Sequence, residues 1–376
     1  MSKKYELTNE TINVDGYTLH RIKALRYFGD VEKGDLGGFI QSEKNLSQDG
    51  LCWVYGDAKV FDNAKVYGHA RVFNNTKVFD NAEVFEDAIV CGDAEVYNDA
   101  KVYGDARVCS NAKVYDNANV CGYASVYGYA RVCSNAKVYG DAKVFDNAKV
   151  YDNANVYDNV KVYGHARVFD NAEVFEDAIV CGDARVYGHA KVFYNAEVCG
   201  DAKVFDNAKV YGIAKVCDNA KVYGIANVYD NANVYGNANV YGDAKVFNDA
   251  KVCDNANVYG NARVFDNARV SGDARVHRNA EACGYASISM SGDITTPNDY
   301  IVVGPLGSRD GYTTVYRILN TDDVSNSANV RIQCGCFNGT PDEFFTKVDE
   351  MHENGSIYHT QFTSIVKSIV DAMCNM

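Results

Sequence analysis

Val60-Phe61-Asp62-Asn63-Ala64-Lys65, followed directly by Val66-Tyr67-Gly68-His69-Ala70-Arg71, contains two copies of a six-residue pattern whose frame runs through most of the chain. From Val54 to Val276 a valine stands at every sixth position, which gives 38 consecutive hexads, and Ala282 and Ile288 carry the frame further. No helix has that period. Each hexad reads valine, an aromatic residue or cysteine, two turn-forming residues, alanine, then usually Lys, Arg, Glu or Asn. Read as a strand, Ala64-Lys65-Val66-Tyr67 alternates, so Ala64 and Val66 share one face while Lys65 and Tyr67 share the other. The small and β-branched residues belong inside. Asp, Asn and Gly tolerate left-handed or tight backbone, so the two positions between strands form a corner. A strand this short cannot bury its valine alone, and stacking the turns of a solenoid is how such a unit acquires a core.

An aliphatic residue with a small residue four positions later, as in Val60 and Ala64, resembles the hexapeptide repeat of left-handed parallel β-helices. The resemblance implies a triangular coil of three hexads, 18 residues per turn, and supplies the handedness, since ordinary parallel crossovers are right-handed. The hexads then make about 13 coils, a rod roughly 60 Å long at a strand spacing of ~4.8 Å. Phe79–Ala94 recurs letter for letter as Phe169–Ala184, an offset of 90 residues and so of five such coils. Val108-Cys109-Ser110-Asn111 recurs only 24 residues later, so single hexads were duplicated as well. A pentapeptide-repeat solenoid is excluded by the spacing.

The expected organisation is an N-terminal hairpin and cap over 1–50, the repeat over 51–290 and a C-terminal α+β domain over 291–376. Ile12-Asn13-Val14-Asp15-Gly16-Tyr17-Thr18-Leu19 reads as a hairpin around Asp-Gly. The cap must cover the unpaired edges of the first coil. Gly34-Asp35-Leu36-Gly37-Gly38-Phe39-Ile40 and Asn45-Leu46-Ser47-Gln48-Asp49-Gly50-Leu51-Cys52-Trp53-Val54 resemble the lead-in segment of YdcK-like bacterial and prophage repeat proteins, which implies architecture and no activity. Beyond residue 290, three strands are predicted at 300–303, 313–318 and 329–332. Thr340-Pro341-Asp342-Glu343 opens a helix with a hydroxyl cap and Pro at the first position. Phe344, Phe345, Val348 and Met351 give that helix an apolar face, and Phe362, Ile365, Val366, Ile369 and Met373 suggest a second helix. Gly304-Pro305-Leu306-Gly307-Ser308-Arg309 and Gly335-Cys336-Phe337-Asn338-Gly339-Thr340 resemble a small module found on other phage-encoded proteins.

A net charge of −13 and only 3 prolines argue for an ordered chain with no generic attraction to nucleic acid or anionic lipid. No run of 18 apolar residues is present, so no membrane partner is expected. Met1-Ser2-Lys3-Lys4-Tyr5-Glu6 lacks the apolar core of a signal peptide, which places the chain in the cytoplasm with its 13 cysteines as free thiols.

Catalysis is not expected, and no cofactor. Acyltransferases of this fold class use a His beside a loop extruded from the coils, and these hexads contain no insertion. A carbonic anhydrase zinc site needs three converging histidines, whereas His69, His165 and His189 fall in three different corners by the 18-residue register. His277 has no partner at ligand spacing, and Cys334-Gly335-Cys336 is the one close cysteine pair, too weak to predict a metal. Ser308 and Arg309 form a candidate anion-binding turn, with Cys336 and His352 as the remaining reactive groups of that domain.

The 18-residue register sorts the outer positions into three faces. On one, the residue before valine is Lys or Arg in 10 of 13 coils and the residue after it aromatic in 11 of 13. Lys113 with Tyr115, Lys149 with Tyr151, Arg167 with Phe169 and Arg185 with Tyr187 are its central members, a cation and aromatic pairing that single-stranded nucleic acid or glycan binding uses. Ladders of aromatic rings, with lysines balanced by neighbouring acids, explain the same residues without a ligand. A second face collects Ile89, Cys91, Cys109, Ile179, Cys181, Cys199, Cys217 and Cys253, a less charged strip suited to a protein partner or another copy of the rod. A scaffold or binding role follows, with self-association along the rod as one form of it.

Overall fold

The computed structural model describes residues 3–290, 292–318 and 329–375. It comprises two compact units, Met1–Tyr194 and Asn195–Met376. In both, the hexads build a parallel β-solenoid. Each contributes a two-residue strand, the residue before valine and the valine itself, as in Lys149–Val150 and Arg167–Val168. Each pairs with the strand 18 residues on: Lys149 with Arg167 in the first unit, Lys203 with Lys221 in the second. Three hexads therefore make one coil. The ladder extends past the strands, with Lys149 N donating to Ala166 O at 2.9 Å and Tyr151 N to Val168 O at 3.0 Å.

Valine and alanine columns fill the interior, and every hexad valine is sealed from solvent. Burying one valine side chain contributes on the order of 1.5–3 kcal/mol, so the inward columns carry the fold. Where Thr76 replaces an alanine it too is buried, and its hydroxyl is satisfied by donating to Phe73 O at 2.8 Å.

The corners need left-handed backbone. Asp62, Asn74 and Gly68 take φ of 54°, 61° and 70°, and in five successive coils of the Lys59 face, from Asn98 and Asp99 to Asp170 and Asn171, both corner residues do so. Their side chains add a second reason for Asp and Asn, a hydrogen-bonded ladder between coils. Asn98 Nδ2 donates to Asp116 Oδ1 at 2.9 Å, and in the second unit Asn255 Nδ2 to Asp273 Oδ1 at 3.1 Å.

The N-terminal hairpin forms as its sequence predicts, with strands Tyr5–Val14 and Tyr17–Ala24 turning at Asp15 and Gly16, both at positive φ. A third strand, Leu36–Ile40, pairs antiparallel with Tyr17–Ala24 and parallel with Lys59–Val60, so it links the cap to the first coil. Gly37 and Gly38 lie so close over that coil that a Cβ would stand 2.6 Å from Val54 O and 2.4 Å from Ala58 O respectively. Trp53 plugs the opening edge-on to Tyr5 and Phe28. Lys4 is buried beside it and donates to Cys52 O at 3.0 Å, Asp49 O at 3.2 Å and Cys52 Sγ at 3.2 Å. Burial lowers the Lys4 pKa and raises that of Cys52, each opposed by the other's charge.

In the second unit, the coil strands run on to Asp293–Ile294, which pairs with Arg275–Val276. An antiparallel sheet of Tyr300–Leu306, Gly311–Arg317, Val330–Cys334 and Phe337–Gly339 follows, one strand more than expected because Gly335 and Cys336 turn the chain back. Thr340 caps the helix Pro341–Met351 in a full capping box with Glu343. Phe344 and Val348 are buried, whereas Met351, the last residue of the helix, is exposed. The second helical stretch, Ile357–Gln361 and Lys367–Asn375, is interrupted by a π-helical turn at Phe362–Val366. That wider turn brings Phe362, Val366, Val370 and Met373 inward and leaves Ile365 at the surface. The sheet packs on the last coil. Tyr316 OH donates to Ser289 O at 3.0 Å, Ser287 N donates to Thr314 Oγ1 at 2.9 Å, and Tyr285 stacks on Tyr312 at 4.0 Å.

Candidate functional site

A solenoid wall is a set of columns, so its candidate sites are strips where neighbouring columns bring particular side chains together. On the cation and aromatic face of the first unit, in-register pairing sets Lys113 beside Arg131, Arg131 beside Lys149, Lys149 beside Arg167 and Arg167 beside Arg185. The Lys113 ammonium is bound to Glu95 at 2.5 Å. No ion pair holds Arg131, Lys149, Arg167 or Arg185 among the described residues. Elsewhere the wall alternates sign, as Lys191 with Glu173 at 2.9 Å and, in the second unit, Lys215 with Glu197 at 3.1 Å.

The aromatic residues beside these cations stack on one another. Tyr97 lies 4.9 Å from Tyr115, Tyr151 4.9 Å from Phe169, and Phe169 4.9 Å from Tyr187, all within 7° of coplanar. Within each ladder a ring is covered by the next, and the column is interrupted at Cys133, which stands between Tyr115 and Tyr151. Burial in the ladders raises the phenol pKa values: Tyr157 is pushed up to about 12, helped by Glu173, and Tyr67 to about 12, helped by Glu83. Tyr103 also reaches about 12, chiefly through its hydrogen bond to Cys121, the cysteine that ends its ladder.

The cysteine and isoleucine face differs from the expected open strip of free thiols. Cys91 and Cys109 are joined as a disulfide, because residues 18 apart stand in register, here with Cα atoms 4.6 Å apart and within bridging range. Cys181 and Cys253 are buried, and Arg269 lies over Cys253 with Nη2 3.8 Å from Sγ. Ile89 and Ile179 are half-buried. In the second unit the Cys199 thiol donates to Cys217 Sγ at 3.1 Å, which pulls the Cys217 thiol below its ordinary pKa.

Ser308 and Arg309 sit at the exposed tip of the hairpin between Tyr300–Leu306 and Gly311–Arg317, next to Asp310. Cys336 is exposed in its own turn, and His352 packs against Phe362. Among the described residues no contact draws these four into one cluster. His69 pairs with Asp87 at 3.3 Å, while His277 closes a ring ladder on Tyr259 and meets Asp293 at 2.5 Å.

Shallow grooves in the first unit share one design, a corner column beside a strand column, and two of them differ in charge. One, about 400 Å³, has His69, Asp87 and Asp105 at the corner beside Arg71, Ile89 and Arg107. The other, about 260 Å³, has Tyr129, Asn147 and His165 beside Arg131, Lys149 and Arg167. The first balances its charge and the second does not. Tyr129, like Tyr123, Ile213 and Ile225, is an exposed apolar corner residue. The signal for all four was legible: an apolar residue where Asp or Asn is the rule.

Strands of two residues, a coil of three hexads and walls made of columns define a parallel β-solenoid repeat protein. A family described as the YdcK Beta solenoid repeat matches residues 262–278, one short stretch of the wall in the second unit. No curated protein matches the chain. No described helix is long and apolar enough to cross a membrane.

Proposed function

We propose that the chain is a non-catalytic scaffold: a YdcK-like hexapeptide-repeat solenoid of left-handed winding, of bacterial or prophage origin and cytoplasmic. It would hold a protein partner, or further copies of itself, along its repeated faces. The observation that carries this reading is the uninterrupted hexad frame, in which the same outer positions recur at every coil with no inserted loop. Many equal weak contacts along such a wall add up when the partner is extended or oligomeric. The alternative, an acyltransferase, requires a pocket built from an extruded loop, and the grooves described above are strips between columns. Rings covered by their ladder neighbours speak against a base-stacking nucleic-acid mode.

The contact strip is assigned to the Cys199 and Cys217 pair with the exposed Ile213 of the same wall. Sedimentation at two concentrations tests it. Self-association of the full chain should weaken in the Cys199→Lys, Cys217→Lys double variant with its circular dichroism intact. Calorimetry with acetyl-CoA should be flat and purified protein should carry no stoichiometric zinc; saturable acetyl-CoA binding would replace the scaffold with an enzyme.

A further inference from the structure

The outer wall treats charge unevenly. In two of the three register columns before valine, no more than two cations follow one another before a Glu, Asn, Ser or Ile intervenes. In the third, Lys113, Arg131, Lys149, Arg167, Arg185, Lys203 and Lys221 follow without an acid. Like charges directly opposite on paired strands destabilise a sheet, and this wall relieves that elsewhere by placing Glu between lysines, as at Glu95. From Arg131 to Arg185 the relief is missing.

The lining of the groove beside Arg131, Lys149 and Arg167 carries no acid, while Asp183 follows in the same corner column beside Arg185 and Asp152 and Asp170 stand at the far corner of these strands. Tyr129, Asn147 and His165 stand where Asp87 and Asp105 stand in the balanced groove. Asp146, the corner residue before Asn147, accepts from the Gly164 amide at 3.3 Å. The result is a groove with three cations at the strand spacing, two polar side chains and one tyrosine that is 63% exposed. Tyr129 is the aromatic residue that lines this groove; the ring ladder beside it is interrupted by Cys133, between Tyr115 and Tyr151.

We propose that the groove lined by Tyr129, Arg131, Asn147, Lys149, His165 and Arg167 binds an acidic polysaccharide, a chain with a carboxylate on successive sugars. The cations recur with the coils, whose stacked rings on this face are 4.9 Å apart. A polymer whose charges recur about once per strand spacing, roughly 5 Å, meets one cation per sugar. Tyr129 supplies an apolar platform for a sugar face, and Asn147 and His165 supply hydrogen-bonding groups for hydroxyls. The proposal is independent of the scaffold reading, which concerns another face and a protein partner.

The test is calorimetry of the full chain with polygalacturonate oligomers, neutral dextran and oligo-dT in calcium-free buffer. Saturable polygalacturonate binding that weakens with salt is expected, with none for dextran. Lys149→Glu should cut affinity about tenfold, the order expected when a charge-assisted contact becomes a repulsion. It should fold, because the introduced carboxylate lies between two cations as Glu95 does. Tyr129→Ala, at an exposed corner, should lower affinity several-fold without changing its salt dependence, and it decides the matter alone if the charge variant misfolds. The absence of polygalacturonate binding, equal binding of dextran, or affinity untouched by either variant would overturn the proposal. Tighter binding of oligo-dT would also overturn it, in favour of nucleic acid.

Discussion

The inward and outward columns come from the same hexads, yet they obey different rules. Inward, valine and alanine recur with hardly a variation, and each is sealed from water. Outward, the same strands carry mostly Lys, Arg, Glu, Asn, Ile or Ser before valine and mostly Tyr, Phe or Cys after it, with Trp53, Ser271 and His277 as exceptions. The interior has one geometric solution, because adjacent coils bring identical positions together and any change in volume is felt by its neighbours above and below. The exterior has many, because each column needs only a neighbour it can stack on, bond to or neutralise. A change inside should therefore cost far more than one outside.

The sharpest way to break this contrast is Val168→Asp. Val168 is fully buried between Val150 and Val186, where no partner exists for a carboxylate. An unpaired buried charge costs several kcal/mol even after relaxation, enough to disorder the adjoining coils. Circular dichroism and limited proteolysis should show loss of β-structure and new cleavage around residues 150–186. A variant as protease-resistant as the parent would mean that Val168 does not face a closed core.

A smaller, graded effect comes from the ring ladders, which lie between inside and outside. Tyr67, Tyr103 and Tyr157 are each pushed up to about 12, so the fold favours the neutral phenol. Below pH 10 these residues are protonated whether folded or unfolded, and the stability they lend is fully present. Between about pH 10 and 12 the unfolded chain releases protons that the folded chain retains, so stability falls as pH rises through that window. Phenolate absorbance and circular dichroism, followed together, should change in step within it. Phenolates that appear near pH 10 with the β signal intact would show that the ladders do not shield their hydroxyls.

How much of this was legible follows the same division. The valine frame predicts the coil, the buried columns and the turn at Asp15-Gly16, because periodicity and corner chemistry are local to the sequence. Thr340-Pro341-Asp342-Glu343 likewise announces its capping box. What escaped depends on contacts between distant positions. Nothing near Lys4 indicates that it will be buried against Cys52, since the cap closes over it only after the hairpin folds back. The Cys91 to Cys109 bridge arises from stacking, which brings residues 18 apart into contact, and so lies beyond any reading of one hexad. The π-helical turn at Phe362–Val366 shifts a helical face that simple spacing assigns to Ile365. On the wall, register separates the basic column, but only ring stacking shows that rings within each ladder cover one another.

The smallest effect tests the outermost layer. Glu95 lies in register between Lys77 and Lys113 and binds the latter at 2.5 Å, with both side chains partly exposed. Glu95→Lys removes that pair and joins Lys59 and Lys77 to the cations from Lys113 onward, extending the stacking of like charges that the wall already tolerates from Arg131 to Arg185. An exposed pair contributes no more than about 1 kcal/mol, and the repulsion that replaces it is of similar size and screened by salt. Urea unfolding should therefore show a modest drop in midpoint at low ionic strength, with unchanged slope, that largely disappears in molar salt. A loss comparable to that of Val168→Asp, or one indifferent to salt, would place Glu95 among the residues that build the coil, and the separation between a fixed interior and a permissive wall would fail at that column.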